Sequence, residues 1–183
     1  MPRLFTGLEI PAAIGQELST YRGGLPGARW VEPENYHLTL RFIGDVDHAM
    51  ARDVFAILGE GRRRAPLTIT LDGLASFGGE RPRAVFARVT PTGDLADLQA
   101  EQERLIRRVG VAPEKRKFTP HVTLARLRRD ASPLDVADYL ATRGGFPKLS
   151  FTVDRFALFS SRNSVGGGPY VIEAAYPLGW TDL

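Results

Sequence analysis

The sequence contains no cysteine, and this absence excludes several classes of protein. Disulfide bonds, thiolate nucleophiles and cysteine-ligated metal or iron–sulfur centres all require that residue. A chain without disulfides suits a reducing compartment, so we expect a cytoplasmic protein. No stretch approaches about 18 consecutive apolar residues, and Glu9 interrupts the apolar start before a secretory segment forms. We therefore expect neither secretion nor a membrane partner.

The sequence also lacks a large excess of charge of either sign. It has 24 lysines and arginines against 21 acidic residues, and arginine supplies nearly all of the cations. An arginine-rich surface with a pI near 9.5 suits phosphate-bearing partners, although a genome-wide arginine bias explains it equally well. The 183 residues, 43% of them hydrophobic, are enough for one ordinary domain or two small lobes.

The pattern of apolar residues predicts a mixture of strands and helices. Predicted strands cover residues 3–9, 36–43, 67–74, 84–89, 121–127, 149–160 and 170–178. Predicted helices cover residues 11–21, 47–58, 95–109 and 133–141, and Asp47 is the expected cap of the second. A glycine-rich turn at residues 166–169 is expected between the last two strands.

The two halves of the chain resemble each other in the order of their predicted elements. Each half has a strand, a helix, a loop and a strand that contains a histidine, and similar distances in sequence separate Phe5 from His37 and Phe86 from His121. This similarity predicts a pseudo-duplicated α+β fold, with residues 1–183 as one domain of two lobes. A spacing of roughly 30 residues is also common for any strand–helix–strand unit.

Two of the three histidines stand in the same tetrapeptide pattern, HLTL at residues 37–40 and HVTL at residues 121–124. Because side chains alternate along a strand, each histidine shares a face with the threonine two positions later. Two such strands facing each other would form a cleft that contains two imidazoles and two hydroxyls. The hydroxyls of Thr39 and Thr123, held in restricted rotamers, suit hydrogen bonds to an oxyanion.

Paired histidines suit phosphodiester chemistry without a metal, in which one group removes a proton and another donates one. An imidazole serves in either role near neutral pH, and the pattern alone does not assign the roles. A single histidine on a strand is more often structural, but the matched pair favours catalysis. A two-histidine metal site is a rival that lacks cysteine and regularly spaced carboxylates. His48, beside Asp47, is predicted to lie on the surface.

These motifs resemble the two-histidine phosphoesterase superfamily, and specifically the bacterial and archaeal RNA 2′,3′-cyclic phosphodiesterases, also called 2′-5′ RNA ligases. The strings that carry the resemblance lie at residues 3–5, 30–31, 33–44, 81–83, 118–126 and 168–170. The resemblance implies a bilobal fold in which two antiparallel sheets line a central groove with helices outside. It implies no metal and no cofactor.

The resemblance also implies roles for the motif residues. His37 is expected to be the proton donor and His121 the proton acceptor, while Thr39 and Thr123 bind the non-bridging phosphoryl oxygens. Water would then open a 2′,3′-cyclic phosphate to a 2′-phosphate. The reverse reaction would join a 5′-hydroxyl to the cyclic phosphate as a 2′-5′ linkage.

Three further residues are candidates for substrate binding. By strand alternation Arg41 follows Thr39 on the same face, whereas Arg126 falls on the opposite face unless the strand twists or ends, and Phe42 is expected in the core. Tyr170 is a candidate to stack on a base or to pack as a strand aromatic. The basic segment at residues 114–117 is expected either to guide RNA or to be a solvated loop.

Several functions stay open on the sequence alone. The expected substrates are RNA ends or small cyclic nucleotides, and close variants include ADP-ribose cyclic phosphate and 2′-5′ oligoadenylate. A non-catalytic RNA-binding module and a metal-dependent hydrolase belong to different classes. We expect a monomer.

Overall fold

An antiparallel sheet with helices packed against it organises the chain in a computed structural model, which describes residues 2–161 and 169–179. The helices are α1 (Ala12–Ser19), α2 (His48–Leu58), α3 (Gly93–Arg108) and α4 (Pro133–Thr142). The strands are β1 (Arg3–Glu9), β2 (Ala28–Trp30), β3 (His37–Asp45), β4 (Leu67–Phe77), β5 (Ala84–Val89), β6 (His121–Leu127), β7 (Leu149–Val153), β8 (Arg155–Ser161) and β9 (Tyr170–Pro177). This α+β architecture confirms the predicted fold class.

The sheet consists of two four-stranded halves that meet along β3 and β6. The strand order is β7-β4-β5-β6-β3-β1-β8-β9, and the short β2 pairs with β6. Within the described residues, Leu38 opposite Val122 is the one residue pair that joins the halves. The two predicted sheets are therefore continuous at their inner edges, and the histidine-bearing strand of each half lies at the junction.

One predicted strand, residues 149–160, is wrong as a single element. The chain bends at Asp154, whose carbonyl accepts a hydrogen bond from the Leu178 amide at 2.8 Å. On one side of the bend β7 pairs with β4, and on the other side β8 pairs with β1. The bend therefore carries the chain from one half of the sheet to the other. The glycines of the predicted turn, residues 166–168, lie outside the described residues.

The helices cover the face of the sheet opposite the histidines. Leu38 and Val122 are fully buried, in one cluster with side chains from α1, α2 and α3. The predicted cap of α2 is confirmed, since the Asp47 carboxylate accepts a hydrogen bond from the Met50 amide at 2.7 Å. No helix among the described residues is long and apolar enough to cross a membrane.

Both histidine-bearing strands contain a β-bulge directly after the threonine. In the β1–β3 pair, Gly7 lies opposite Thr39 and Thr6 opposite Arg41, so the intervening residue has no partner. In the β5–β6 pair, Phe86 lies opposite Thr123 and the next pair involves residue 125, so residue 124 is skipped in the same way. By register, Phe86 therefore matches Gly7 rather than the Phe5 that sequence spacing suggests. A bulge shifts the alternation of side chains beyond it.

The shifted alternation overturns the prediction that Phe42 belongs to the core. Phe42 is 41% exposed, whereas Arg41 before it is only 4% exposed. Arg126 occupies the position in β6 that Phe42 occupies in β3, five residues after the histidine, and it is exposed as well. The two bulges therefore turn an aromatic ring and a guanidinium to the histidine side of the sheet.

Candidate active site

A groove of about 440 Å³ lies along the junction of β3 and β6, on the face of the sheet away from the core. Both motif histidines and both motif threonines line it. This convergence follows from the register, because the Leu38–Val122 pair places the two strands side by side with their polar faces on the same side. The sequence-predicted quartet is therefore one cluster.

Matched backbone hydrogen bonds orient the two imidazoles. His37 Nδ1 lies 2.9 Å from the Asn35 carbonyl oxygen, and His121 Nδ1 lies 2.7 Å from the Thr119 carbonyl oxygen. A carbonyl oxygen only accepts, so Nδ1 carries the hydrogen in each ring. Each neutral ring is thereby left with the lone pair on Nε2, which is the atom that takes up or releases a proton at the groove.

Aromatic rings surround His37. Its ring centroid lies 4.8 Å from that of Phe5 and 5.7 Å from that of Phe159, and these two phenylalanines stack on each other. Tyr170 meets the imidazole edge-on at 4.9 Å. Because Gly7 has no side chain, Phe159 approaches this part of β1 closely; an added Cβ would lie 3.3 Å from the Phe159 ring. The apolar rings exclude water from one side of the imidazole.

His121 has a similar aromatic environment built from different strands. Phe77, at the end of β4, meets its ring edge-on at 4.9 Å, and Phe86 of β5 lies 5.2 Å away. The two phenylalanines stack with their centroids 4.1 Å apart. Each half of the fold therefore supplies one imidazole resting on a stacked phenylalanine pair.

These surroundings lower the pKa of both histidines. Burial lowers the pKa of His37 to about 4; the Asn35 carbonyl opposes this shift, while the positive charges of Arg126 and His121 add to it. Burial also lowers the pKa of His121, against the Thr119 carbonyl and together with Arg126. Both rings are therefore neutral at neutral pH. A phosphate anion between them would favour the protonated form.

The three predicted substrate-binding residues occupy different environments. Arg41 lines the groove, but its guanidinium donates to Glu103, to the Phe42 carbonyl and, at 2.6 Å, to the Ala112 carbonyl. The prediction that Arg41 shares a face with Thr39 is wrong, because the bulge turns its side chain towards Glu103 of α3, on the side of the sheet opposite the histidines. Arg126 lines the groove and is exposed, because the bulge shifts the alternation of side chains that would otherwise place it on the opposite face of the sheet. The predicted contacts of both residues with substrate stay predictions.

Tyr170 lies at the start of β9 and rests against His37 and Phe5. Its backbone amide also donates to the Asn35 side chain at 3.4 Å. The ring thus packs as a strand aromatic that helps to enclose the imidazole. Whether a base also stacks on it stays a prediction.

Other residues of the groove were not predicted as site residues from the sequence. They include Phe42 and Phe77 on the strands, Arg83 before β5 and Phe118 in the loop before β6. Lys117, which also lines the groove, belongs to the basic segment that is expected either to guide RNA or to be a solvated loop. The sequence strings at residues 81–83 and 118–126, which carry the family resemblance, contain Arg83 and Phe118. For Phe42 strand alternation predicts the opposite face of the sheet. His48 is exposed, as predicted. Among the described residues, no group of three or more histidines and carboxylates is placed to hold a metal ion.

Comparison with known proteins gives a consistent family. The family model of the 2′-5′ RNA ligase superfamily matches residues 10–164. An RNA 2′,3′-cyclic phosphodiesterase of Aquifex aeolicus is 33% identical over 82% of this chain and 82% of its own length. One from Aeropyrum pernix is 41% identical over 57% of this chain, a match that spans 60% of that protein.

Solved structures with similar folds support the same grouping. Escherichia coli LigT in complex with 3′-AMP is 27% identical and has a TM-score of 0.75, over 97% of this chain and 99% of that one. A protein of Thermus thermophilus, TT0787, is 25% identical and has a TM-score of 0.79, over 96% of this chain and 97% of that one.

Proposed function

This chain belongs to the 2′-5′ RNA ligase superfamily, and from that premise we propose that it hydrolyses 2′,3′-cyclic phosphates at RNA ends to 2′-phosphates. The observation that carries the proposal is the matched pair of imidazoles, each with its Nδ1 held by a backbone carbonyl and its Nε2 left for proton transfer at one groove. The names of the curated relatives support the substrate class.

In the proposed mechanism the two histidines act on opposite sides of the phosphorus atom. His121 Nε2 removes a proton from water, whose oxygen attacks the phosphorus. The bond between phosphorus and the 3′ oxygen breaks, and His37 Nε2 donates a proton to that oxygen. The product is a 2′-phosphomonoester with a free 3′-hydroxyl. General acid–base catalysis of this kind contributes about 10²- to 10⁴-fold per group.

The threonine hydroxyls complete the mechanism. Thr39 and Thr123 line the groove together with the imidazoles, and in this mechanism they donate hydrogen bonds to the non-bridging phosphoryl oxygens. Negative charge builds up on these oxygens in the transition state, so donors aimed at them accelerate the reaction. The substrate anion also raises the pKa of His37, which lets this residue act as the acid although burial lowers its pKa.

The test is an assay with a short RNA that ends in a 2′,3′-cyclic phosphate, run in the presence of chelator, with the 2′- and 3′-phosphate products resolved. The expected result is formation of the 2′-phosphate, lost in His37→Ala and in His121→Ala but kept in His48→Ala, which removes an exposed imidazole. Absence of turnover by the intact protein would refute the proposed activity. Activity lost in chelator would instead indicate a metal-dependent reaction.

We also infer that the protein works as a monomer in the cytoplasm. One chain supplies both imidazoles and both hydroxyls of the groove, so the site needs no residue from a second copy. Light scattering of the active protein checks the mass.

A further inference from the structure

A strip of arginines continues from the groove along β6 and onto β2. Arg126 lines the groove, and in the β2–β6 pair it lies directly opposite Arg29. Arg128 follows β6, and its amide donates to the Gly27 carbonyl oxygen at 2.9 Å, which keeps this residue beside the start of β2. Arg29, Arg126 and Arg128 are all exposed. We name these three residues the arginine strip.

The packing of the neighbouring residues shows which face of the sheet carries the strip. Ala28 and Trp30 of β2 and Leu127 of β6 pack in one cluster with side chains of α4. Because side chains alternate along a strand, Arg29 and Arg126 point away from that helix. Residues directly opposite each other in antiparallel strands also share a face. The strip therefore lies on the histidine side of the sheet and is continuous with the groove.

The strip has no partner for its positive charge within the protein. Like charges directly opposite each other on neighbouring strands are destabilising. Among the described residues, none of the three arginines is in an ion pair. Glu32 pairs with Arg22 at 3.1 Å instead, and Asp130, the carboxylate nearest to the strip in sequence, is exposed. An anion bound over the strip would offset the repulsion, and guanidinium groups bind phosphates well.

The proposed mechanism places the ribose of the substrate beside the strip. Both ester oxygens of a 2′,3′-cyclic phosphate belong to one ribose. The 3′ oxygen leaves at His37, while the attacking oxygen enters on the opposite side of the phosphorus at His121. The ribose therefore lies on the His37 side. By the register of β3 and β6, His37 lies beside Thr123, and the next residue of β6 that lines the groove is Arg126.

The spacing within the strip suits the backbone of a single RNA strand. Arg126 and Arg128 are two residues apart, which is about 7 Å along an extended chain. Successive phosphates of an extended RNA strand have a similar separation. A cyclic mononucleotide has no phosphate other than the reacting one, so it gains nothing from the strip. A longer RNA, in contrast, can place a charged linkage over it.

We propose that the arginine strip binds the backbone phosphates on the 5′ side of the nucleotide that carries the cyclic phosphate. The protein thereby acts on RNA strands in preference to cyclic mononucleotides. This inference rests on the proposed function, because the position of the ribose follows from the roles of the two histidines. Phosphate contacts carry no sequence information, so the strip selects for strand length and not for base sequence.

The test compares hydrolysis of adenosine 2′,3′-cyclic phosphate with hydrolysis of a trinucleotide that ends in the same nucleotide. In the wild-type protein kcat/KM should be about tenfold higher for the trinucleotide, and Arg29→Gln and Arg128→Gln should each lower this ratio about threefold. Arg29→Lys, which keeps the charge, should keep most of the ratio. Arg52→Gln and Arg104→Gln are matched controls, since both residues are exposed arginines on helices of the opposite face.

Two further readouts separate phosphate binding from a structural effect of the substitutions. Each phosphate contact with a single strand contributes about 0.7 to the slope of log kcat/KM against log salt concentration. The slope for the trinucleotide, relative to that for the mononucleotide, should therefore become shallower by about 0.7 in Arg29→Gln and in Arg128→Gln. A trinucleotide with neutral methylphosphonate linkages should lose its advantage in the wild-type protein, and the two substitutions should not lower its ratio further.

The outcomes distinguish the strip from the groove. Equal kcat/KM for the mononucleotide and the trinucleotide in the wild-type protein would overturn the proposal. So would an advantage of the trinucleotide that Arg29→Gln and Arg128→Gln leave intact. Absence of hydrolysis of both substrates would instead refute the proposed function.

Discussion

Replacing His37 by glutamine should reduce the loss of stability that this protein suffers in mild acid. The folded state holds the pKa of His37 at about 4, below its ordinary value of 6.5, chiefly because the ring is buried. Below pH 6.5 the unfolded chain therefore binds a proton that the folded state does not. The stabilisation is complete above that pH and is lost as the pH falls towards 4.

The size of the effect follows from the shift. At about 1.4 kcal/mol per pH unit, the lowered pKa of His37 corresponds to a loss of at most about 3 kcal/mol in the free energy of unfolding, and to a loss of about 2 kcal/mol at pH 5. Urea unfolding at about pH 7.5 and pH 5 measures it. From pH 7.5 to pH 5 the free energy of unfolding should fall by about 2 kcal/mol more in the wild-type protein than in His37→Gln. His48→Gln, which removes an exposed imidazole, is the control and should behave like the wild-type protein. Equal losses in the wild-type protein and His37→Gln would refute the reasoning.

An anion should couple to the same proton. Sulfate is a dianion at both pH values and is a stand-in for phosphate between the imidazoles. If it binds the groove it favours protonated histidine, so millimolar sulfate should stabilise the wild-type protein more at pH 5 than at pH 7.5. In His37→Gln this difference should shrink. Chloride at equal ionic strength controls for screening, and a stabilisation by sulfate that is independent of pH would contradict the coupling.

Three further substitutions test the site and its supports. Thr123→Val removes one donor to the phosphoryl oxygens and should lower kcat about 100-fold, measured by steady-state kinetics. Arg41→Met removes the cation from Glu103, which is 20% exposed, and leaves the Ala112 carbonyl without its donor; it should cost about 1–3 kcal/mol in urea unfolding, and a double-mutant cycle with Glu103→Gln isolates the pair. Gly7→Ala places a Cβ 2.8 Å from the Leu38 carbonyl oxygen, and calorimetry should show a destabilisation of about 1–3 kcal/mol.

Strand alternation explains which side-chain positions of the site can be predicted from the sequence. It predicts that His37 and Thr39 share one face of β3 while Leu38 packs in the core, and burial agrees, since Leu38 is fully buried. The same rule holds for the second motif. It fails beyond each threonine, because a bulge depends on which residues of the neighbouring strand pair, and no local pattern encodes that. Alternation alone therefore predicts the wrong face of the sheet for Phe42.

Two other differences between the predicted and the observed strands also depend on pairing that is distant in sequence. The strand pattern does not predict β2, which is only three residues long and is defined by its pairing with β6, far along the chain. The bend at Asp154 divides a continuous β-prone segment because its two parts pair with different halves of the sheet. Propensity identifies such segments as extended, but tertiary pairing decides where each strand ends.

The residue after each bulge breaks the symmetry of the groove. A perfect duplication would make the two histidines equivalent, since each has the same backbone contact and a stacked phenylalanine pair beside it. Five residues after the histidine, however, one strand carries Phe42 and the other Arg126. The guanidinium lowers the pKa of both rings, whereas the phenyl ring only offers a surface for stacking. The two ends of the groove therefore differ in charge at these matched positions, although the backbone contacts of the two histidines are the same.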